Sequence, residues 1–256
     1  MSTLVMKFGG ASLSTPAKIK KAAEIISLRN KKYSKIVVVV SAMGKMTDKL
    51  ILLAKKVSPA PSERELDMLI TAGERISMSL LAMALFNKKL DAISFTGSQG
   101  GIITTSTHSN AKILDIKPLR IIDNLNKNKI VIVAGFQGVS VEKEVTTLGR
   151  GGSDTSAVGL AAALNADKVE FYKDVEGIYS ADPKKNASVE KFKKMSYDHA
   201  INLLRKGSQV LHIRCVELAK NNNIPLHIVS YKNHKKGSGT VIEEEKEKML
   251  KILYEK

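Results

Sequence analysis

Short runs of β-branched residues, most of them followed by a helix-like stretch, recur along the 256-residue chain and leave few folds open. The strand-like runs are Leu4–Phe8, Lys35–Val40, Ala92–Phe95, Ile130–Ala134, Val169–Tyr172 and Leu226–Ser230. They are short, largely apolar throughout and bounded by Gly, Ser or Asp, as strands covered on both faces are. Helical patterns fill the intervals at Pro16–Arg29, Thr47–Lys56, Glu63–Asn87, Asp154–Ala163, Tyr197–Arg205 and Val210–Asn221. Pro16 near a helix start and Ser196 as an N-cap are start signals. Parallel strands need crossover connections, so this alternation predicts an α/β fold with a mainly parallel sheet sandwiched between helical layers. No repeat, Pro-rich linker or low-complexity block divides the chain. The tail Glu243–Lys256, EEEKEKMLKILYEK, reads as a charged helix or a frayed end.

Composition narrows the functional classes. Hydrophobic residues at 43% and charged residues at 26% exclude a disordered, collagenous or coiled-coil chain. Apolar stretches such as Ile36–Val40 and Leu80–Phe86 fall short of the ~18 residues a membrane span needs, and MSTLVMKFGG has no signal-peptide pattern. A single cysteine, Cys215, suits a reducing compartment, so a cytoplasmic protein without membrane contact is expected. The formal charge of +16 comes from 41 Lys+Arg against 25 Asp+Glu, and lysine dominates the cations. Nucleic-acid readers lean on the planar fork of arginine and on stacking aromatics. The lysine excess and the lack of Trp favour a solvated basic surface over a nucleic-acid partner. A positive field also suits a small polyanion such as a nucleotide.

Ligands in parallel sheets collect where strands end and helices begin. Three glycine-rich turns fall there. In Lys7-Phe8-Gly9-Gly10-Ala11-Ser12, two glycines allow close backbone approach and Lys7 adds a mobile charge; a plain tight turn is the competing reading. Gly149-Arg150-Gly151-Gly152-Ser153-Asp154 runs into the small-residue helix AVGLAAAL. Unpaired N–H groups and the helix dipole there favour an anion, and Arg150 can clamp a carboxylate or phosphate; an ordinary N-cap is the alternative. The third turn, Phe95-Thr96-Gly97-Ser98-Gln99-Gly100-Gly101, is as readily a structural turn. There is no Walker-type P-loop, Rossmann fingerprint or protein-kinase signature, and the histidines lack metal-ligand spacing. His212, His227 and Cys215 lie in apolar segments and read as packed residues.

Six segments, taken in order, carry a resemblance: Lys7–Ser12, Val39–Thr47 (VVSAMGKMT), Gly73-Glu74, Thr96–Gln99, Gly149–Asp154 and Lys173–Pro183 (KDVEGIYSADP). From about Leu4 to Ile242 the chain resembles the aspartokinases, whose fold is the amino acid kinase fold. That resemblance implies one kinase domain over 1–242, with an acceptor-binding lobe at about 1–148 and an ATP-binding lobe at about 149–242. Residues 243–256 form the tail.

The implied reaction is transfer of a phosphoryl group from ATP to the side-chain carboxylate of L-aspartate, giving 4-phospho-L-aspartate. By the same resemblance Lys7 is the catalytic lysine and Asp154 the aspartate that orients it. Gly9, Gly10 and Ser12 surround the phosphates. Ser41, Thr47, Glu74, Arg150, Gly151, Gly152 and Ser153 match acceptor-binding positions, with Glu74 meeting the α-ammonium and Arg150 a carboxylate. Lys173, Asp174, Tyr179, Lys184, Gln209 and Val210 fall on the nucleotide side. Three of these neighbourhoods depart from the family pattern: Ala11 stands where threonine is usual, Gln209 where lysine is common and Ile213 where proline is common. Lys173 matches a small hydroxyl residue in position only. Mg²⁺ is implied with the nucleotide, held by phosphates and water, so no protein metal ligand is assigned. A homodimer is the implied assembly. Many aspartokinases continue into ACT domains, and the fourteen residues after Ile242 are too few for one, so insensitivity to lysine and threonine is expected. Two alternatives stay open: a kinase of the same fold acting on another carboxylate, carbamate or UMP, and a non-catalytic nucleotide-binding paralogue.

Overall fold

The computed structural model describes residues 2–180, 189–234, 239–244 and 252–255. Strand β1 (Thr3–Phe8) ends in a single 3-10 turn and leads through α1 (Pro16–Asn30) to β2 (Lys35–Val40). Helices α2 (Met46–Val57), α3 (Glu63–Ile70) and α4 (Ala72–Phe86) precede β3 (Ala92–Phe95). The middle of the chain supplies β4 (Ile102–Thr104), β5 (Ile113–Ile116), α5 (Leu119–Asn126), β6 (Ile130–Ala134), β7 (Gln137–Ser140) and β8 (Val145–Thr147). Then come α6 (Gly152–Ala163), β9 (Lys168–Lys173), β10 (Lys194–Met195), α7 (Tyr197–Arg205), α8 (Ile213–Asn221), β11 (Leu226–Ser230) and β12 (Thr240–Ile242).

The main sheet runs β10-β12-β11-β9-β1-β2-β6-β3, and a smaller sheet runs β5-β4-β7-β8. The six strands legible in the sequence are the six contiguous, mutually parallel strands from β11 to β3. Pleating splits β1 between two cores. Leu4, Met6 and Phe8 join Ile25, Ile26 and Leu81 on the α1/α4 face. Val5 joins Val37, Val169 and the residues of α6 and α8 on the other. Helix α6 packs against β1, β2 and β9 and also against β5 and β7, so it lies between the two sheets. Every residue from Gly152 to Ala162 is buried, which the Gly, Ala and Ser of this helix permit by their small size.

Start signals hold where they were expected. Thr15 caps α1, with Pro16 in the first turn, and Ser196 caps α7 by accepting from the His199 N–H. Two helices differ from expectation. The span Glu63–Asn87 breaks at Thr71 into α3 and α4. There the Thr71 carbonyl accepts from Gln137 Nε2 at 3.3 Å while the Arg75 N–H stands off at 3.5 Å. An inserted side chain of this kind interrupts a helical ladder. The span Val210–Asn221 begins only at Ile213, because the His212 ring caps that end and Val210 turns onto the core. The run Glu63–Phe86 is long and apolar enough to cross a membrane, yet half of it is buried within the protein.

The tail also differs from a helix or frayed end where it is described. Residues 252–255 are not helical; Leu253 bonds to Asn222, and Glu255 bonds to Ile113. Helix α5 and the small sheet were not legible. Its strands are three or four residues long and mix Thr, Gln and Gly with the apolar positions.

Mid-strand Glu170 is the costliest group in the main sheet. It is 2% exposed and meets Arg29 Nε at 2.8 Å, Lys168 Nζ at 2.9 Å and the Tyr172 hydroxyl at 2.6 Å. Burial alone would raise its carboxyl, but His227, Lys168 and Arg29 hold it well below the ordinary carboxylate range. A depressed native value adds stability above the unfolded-state value, and that stability drains away as pH falls through the native one. Glu170→Gln should therefore lower stability at neutral pH by roughly 2–4 kcal/mol, because two cations lose their counter-charge. Denaturant melts should show the gap between variant and wild type narrowing below about pH 4.

Candidate active site

The carboxyl ends of β1 and β2 and the amino end of α6 open onto a cleft of about 740 Å³. Lys7, the penultimate residue of β1, points toward α6 and is 5% exposed. Its Nζ lies 2.5 Å from Asp154 Oδ1, and Lys173 Nζ lies 2.9 Å from Asp154 Oδ2. Asp154 sits in the first turn of α6, where the helix dipole also favours its negative charge. Burial works against that charge, but Lys173 and Lys7 outweigh it and hold the carboxyl at about 2. Burial lowers the Lys7 ammonium, with Asp154 opposing the shift. One carboxylate thus fixes two cations at the ends of neighbouring strands.

Glu74 faces the same cleft from the first turn of α4. Gly73 allows this: a Cβ there would stand 2.8 Å from the Ala42 Cβ, so only glycine lets the helix start so near the end of β2. Glu74 Oε1 accepts from the Ala42 N–H at 3.0 Å, while Oε2 is buried with no protein partner. Burial pushes this carboxyl up to about 7, against the opposing pull of the Ala42 N–H and of Lys7. A buried carboxylate oxygen with nothing to meet is suited to a cation brought by a ligand.

Other expected residues gather around these two. Ser41, Thr47 and Gly10 line the cleft, as do Arg150, Gly151, Gly152 and Ser153. Arg150 is exposed, and its guanidinium is bonded to nothing among the described residues. Gly151 has φ +73°, and a Cβ there would lie 2.2 Å from the His212 Cβ, so the turn before α6 closes on the start of α8.

The remaining expectations fare differently. Ser12 is buried, but both its N–H and its hydroxyl bond to the Gly9 carbonyl, so its polar groups hold the turn itself. Gly9 borders Lys7 Nζ, from which a Cβ would stand 3.6 Å. Lys173 reaches the site through Asp154 rather than by lining the cleft. Asp174 and Gln209 are exposed, Tyr179 pairs with Lys191, and Val210 packs on the core; none of these lines the cleft. Lys184 lies outside the described residues. The third glycine-rich turn is structural: Thr96 and Gln99 exchange side-chain bonds with each other's N–H groups. Cys215 is buried and burial pushes its thiol up, which bears out a packed residue.

Sequence reasoning missed Asp67, on α3. Fully buried, it accepts from the Thr147 hydroxyl at 2.6 Å and N–H at 3.1 Å, and from the Ser109 N–H at 3.0 Å. The His108 ring adds a fourth contact at 2.9 Å. Ser109 and Thr147 both line the cleft, so Asp67 ties its floor to the small sheet. Its partners lie some forty to eighty residues away in sequence, and nothing local distinguishes it from a surface helix carboxylate.

The arrangement can hold an ammonium at Glu74, an anion at Arg150, and a second, more highly charged anion at Lys7 and Lys173. Known proteins carry the same combination of fold and motifs. "Aspartokinase 2" of Bacillus subtilis is 51% identical over 245 residues, covering 96% of this chain and 60% of that relative. The chain thus spans only about 60% of that relative's length. Among solved structures, aspartate kinase from Synechocystis aligns with a TM-score of 0.84 at 41% identity, covering 94% of this chain and 40% of that one. E. coli aspartokinase III in complex with aspartate and ADP aligns with a TM-score of 0.85 at 25% identity, covering 96% and 65% respectively. Residues 2–230 match the model of the amino acid kinase family, and it is to this family that the chain belongs.

Proposed function

We propose that the chain transfers the γ-phosphoryl group of ATP to the side-chain carboxylate of L-aspartate, giving ADP and 4-phospho-L-aspartate. The observation that carries this reading is Glu74, whose free, buried Oε2 shares a cleft with the Arg150 guanidinium, which is unpaired among the described residues. An amino acid satisfies both, its ammonium at Glu74 and its α-carboxylate at Arg150. An acceptor with no ammonium, such as UMP or carbamate, leaves Glu74 unmatched. The names of the most similar relatives support the same acceptor.

The chemistry asks little of the protein beyond alignment and charge. The acceptor oxygen is already a carboxylate, so no general base is needed. That oxygen forms a bond to the γ-phosphorus as the bond to the bridging oxygen of ADP breaks. Lys7 and Lys173 offset the charge spread over the transferring oxygens, and Asp154 keeps both ammonium groups in place. With each Asp154 oxygen taken by a lysine, Mg²⁺ arrives with the nucleotide and is held by its phosphates and water. In this reading 1–148 supply most acceptor contacts and 149–242 the nucleotide side, with Arg150–Ser153 reaching across. A cytoplasmic homodimer completes it.

Trapping of the acyl phosphate with hydroxylamine, across a panel of amino acids with ATP and Mg²⁺, tests the reading. Hydroxamate should form with aspartate, and absence of product with every amino acid would sink the proposal. Lys7→Met should fold and lower kcat by about 10²-fold or more. Arg150→Met should raise the KM for aspartate far more than that for ATP, by roughly 1.5–3 kcal/mol in binding free energy. Equal effects on both substrates would move Arg150 to the nucleotide.

Glu74 supplies a pH signature. Its native value of about 7 lies above the ordinary 4.5, so the free protein loses stability as pH rises through that window. An ammonium at Oε2 restores the ionised form, so aspartate binding near pH 7 should release about half a proton. Calorimetry in buffers of different ionisation enthalpy reads this directly. Glu74→Gln should abolish the release and flatten the stability profile between those pH values.

A further inference from the structure

Arg214, in the first turn of α8, lies outside the cleft and takes no part in the steps above, yet its side chain is thoroughly engaged. Its guanidinium donates to the Leu148 carbonyl at 2.6 Å, the Ala111 carbonyl at 3.0 Å and Asn110 Oδ1 at 3.3 Å. Nε donates to Glu255 Oε1 at 2.7 Å. Leu148 immediately precedes Gly149-Arg150-Gly151, and Asn110 Oδ1 lies against Gly149, where a Cβ would stand 3.0 Å away. Gly149 and Gly151 have φ of +70° and +73°, so this short segment has a permissive backbone and depends on its neighbours for shape. The start of α8 provides that support at both ends, with His212 against Gly151 and Arg214 on Leu148.

Glu255 is the anion that faces Arg214. Its Oε2 accepts from the Ile113 N–H at 2.8 Å, and its own N–H donates to the Ile113 carbonyl at 3.1 Å. Strand β5 is at the edge of the small sheet, so Glu255 extends that edge. Asn222, just past α8, grips Leu253 in the same way, donating to its carbonyl at 2.6 Å and accepting its N–H at 2.8 Å. Residues 252–255 are therefore docked along α8 and β5, with one carboxylate on the arginine that buttresses the Arg150 loop.

We propose that Arg214 is a positioning residue for the acceptor-binding segment Gly149–Ser153, and that docking of Glu255 on it sets the affinity of that segment for the acceptor. This rests on the reading of Arg150 as the acceptor's guanidinium. Arg150 makes no bond of its own among the described residues, so its aim comes from the backbone that carries it. Coupling is reciprocal: whatever undocks 252–255 weakens acceptor binding, and bound acceptor tightens the docking.

The test compares Arg214→Met, Arg214→Lys, Glu255→Gln and the Arg214→Met/Glu255→Gln double variant, with Lys220→Met, on the exposed side of the same helix, as the control. Arg214→Met should raise the KM for aspartate about tenfold or more while kcat and the KM for ATP stay within roughly threefold. Glu255→Gln should shift the same constant in the same direction by less, and the double variant should equal Arg214→Met alone, since the two act through one contact. An unchanged aspartate KM in folded Arg214→Met, or additive effects in the double variant, would overturn the proposal. Should Arg214→Met fail to fold, Glu255→Gln and Arg214→Lys carry the same test. Amide hydrogen exchange of the unliganded protein separates this from failure of the aspartate reading. Faster exchange across 149–153 in Glu255→Gln, but not in Lys220→Met, supports the buttress whatever the acceptor is; unchanged exchange there refutes it.

Discussion

Everything in the cleft is arranged around one carboxylate. Asp154 is buried at the start of a helix that is itself buried, and a charge there is tolerable only because two ammonium groups meet its two oxygens. The bargain runs both ways. Lys7 is tolerated inside the protein because Asp154 meets its ammonium, and Lys173, the last residue of β9, reaches the other oxygen of the same carboxylate. The strand register makes this possible, since Lys7 pairs in register with Phe171 on one side and Val39 on the other. Two ammonium groups are thereby concentrated at one end of the central strands, beside the cleft.

Glu74 and Arg150 follow the opposite logic. Among the described residues both are left incomplete: one is buried with a free oxygen, the other exposed with a guanidinium that meets no partner. A site that keeps its polar groups unpaired until a ligand arrives discriminates by what each candidate leaves unsatisfied. Compensation elsewhere is thorough by contrast. Glu170 and Asp67 are as buried as Glu74, and both are surrounded by donors.

Much of this was legible in the sequence because it is written locally. The six central strands declare themselves as short, largely apolar runs, two of them almost wholly valine and isoleucine. Lys7, Glu74, Arg150 and Asp154 stand beside glycines at strand ends and helix starts, where a ligand can come close. What stayed hidden is settled by contacts distant in sequence. Asp67 acquires its role from residues 108, 109 and 147, Thr71 ends α3 because Gln137 reaches its carbonyl, and the tail is held by Asn222, Ile113 and Arg214. Short strands such as Val145–Thr147 carry too few residues to show a period. Ser12 is a further case in which the contact is not written in the sequence: its hydroxyl donates to the Gly9 carbonyl and so holds the turn.

The position of β1 carries a consequence for how the molecule comes into being. Its two neighbours in the sheet are β2, a few dozen residues on, and β9, which begins at Lys168. As the chain is made, one edge of β1 finds its partner early, while the other waits until the residues from Lys168 onward have been synthesised. Through that interval a largely apolar strand, with Lys7 near its end, presents unpaired N–H and carbonyl groups, the surface on which strands of other chains add. Late pairing of distant strands also slows folding, since loop closure must be met before any contact repays it. Asp154 lies on the helix that leads into β9, so the cation cluster forms with the β1–β9 pairing, before β11 is added beside β9. The Lys7–Asp154–Lys173 cluster thus waits on the same strand that covers the open edge of β1.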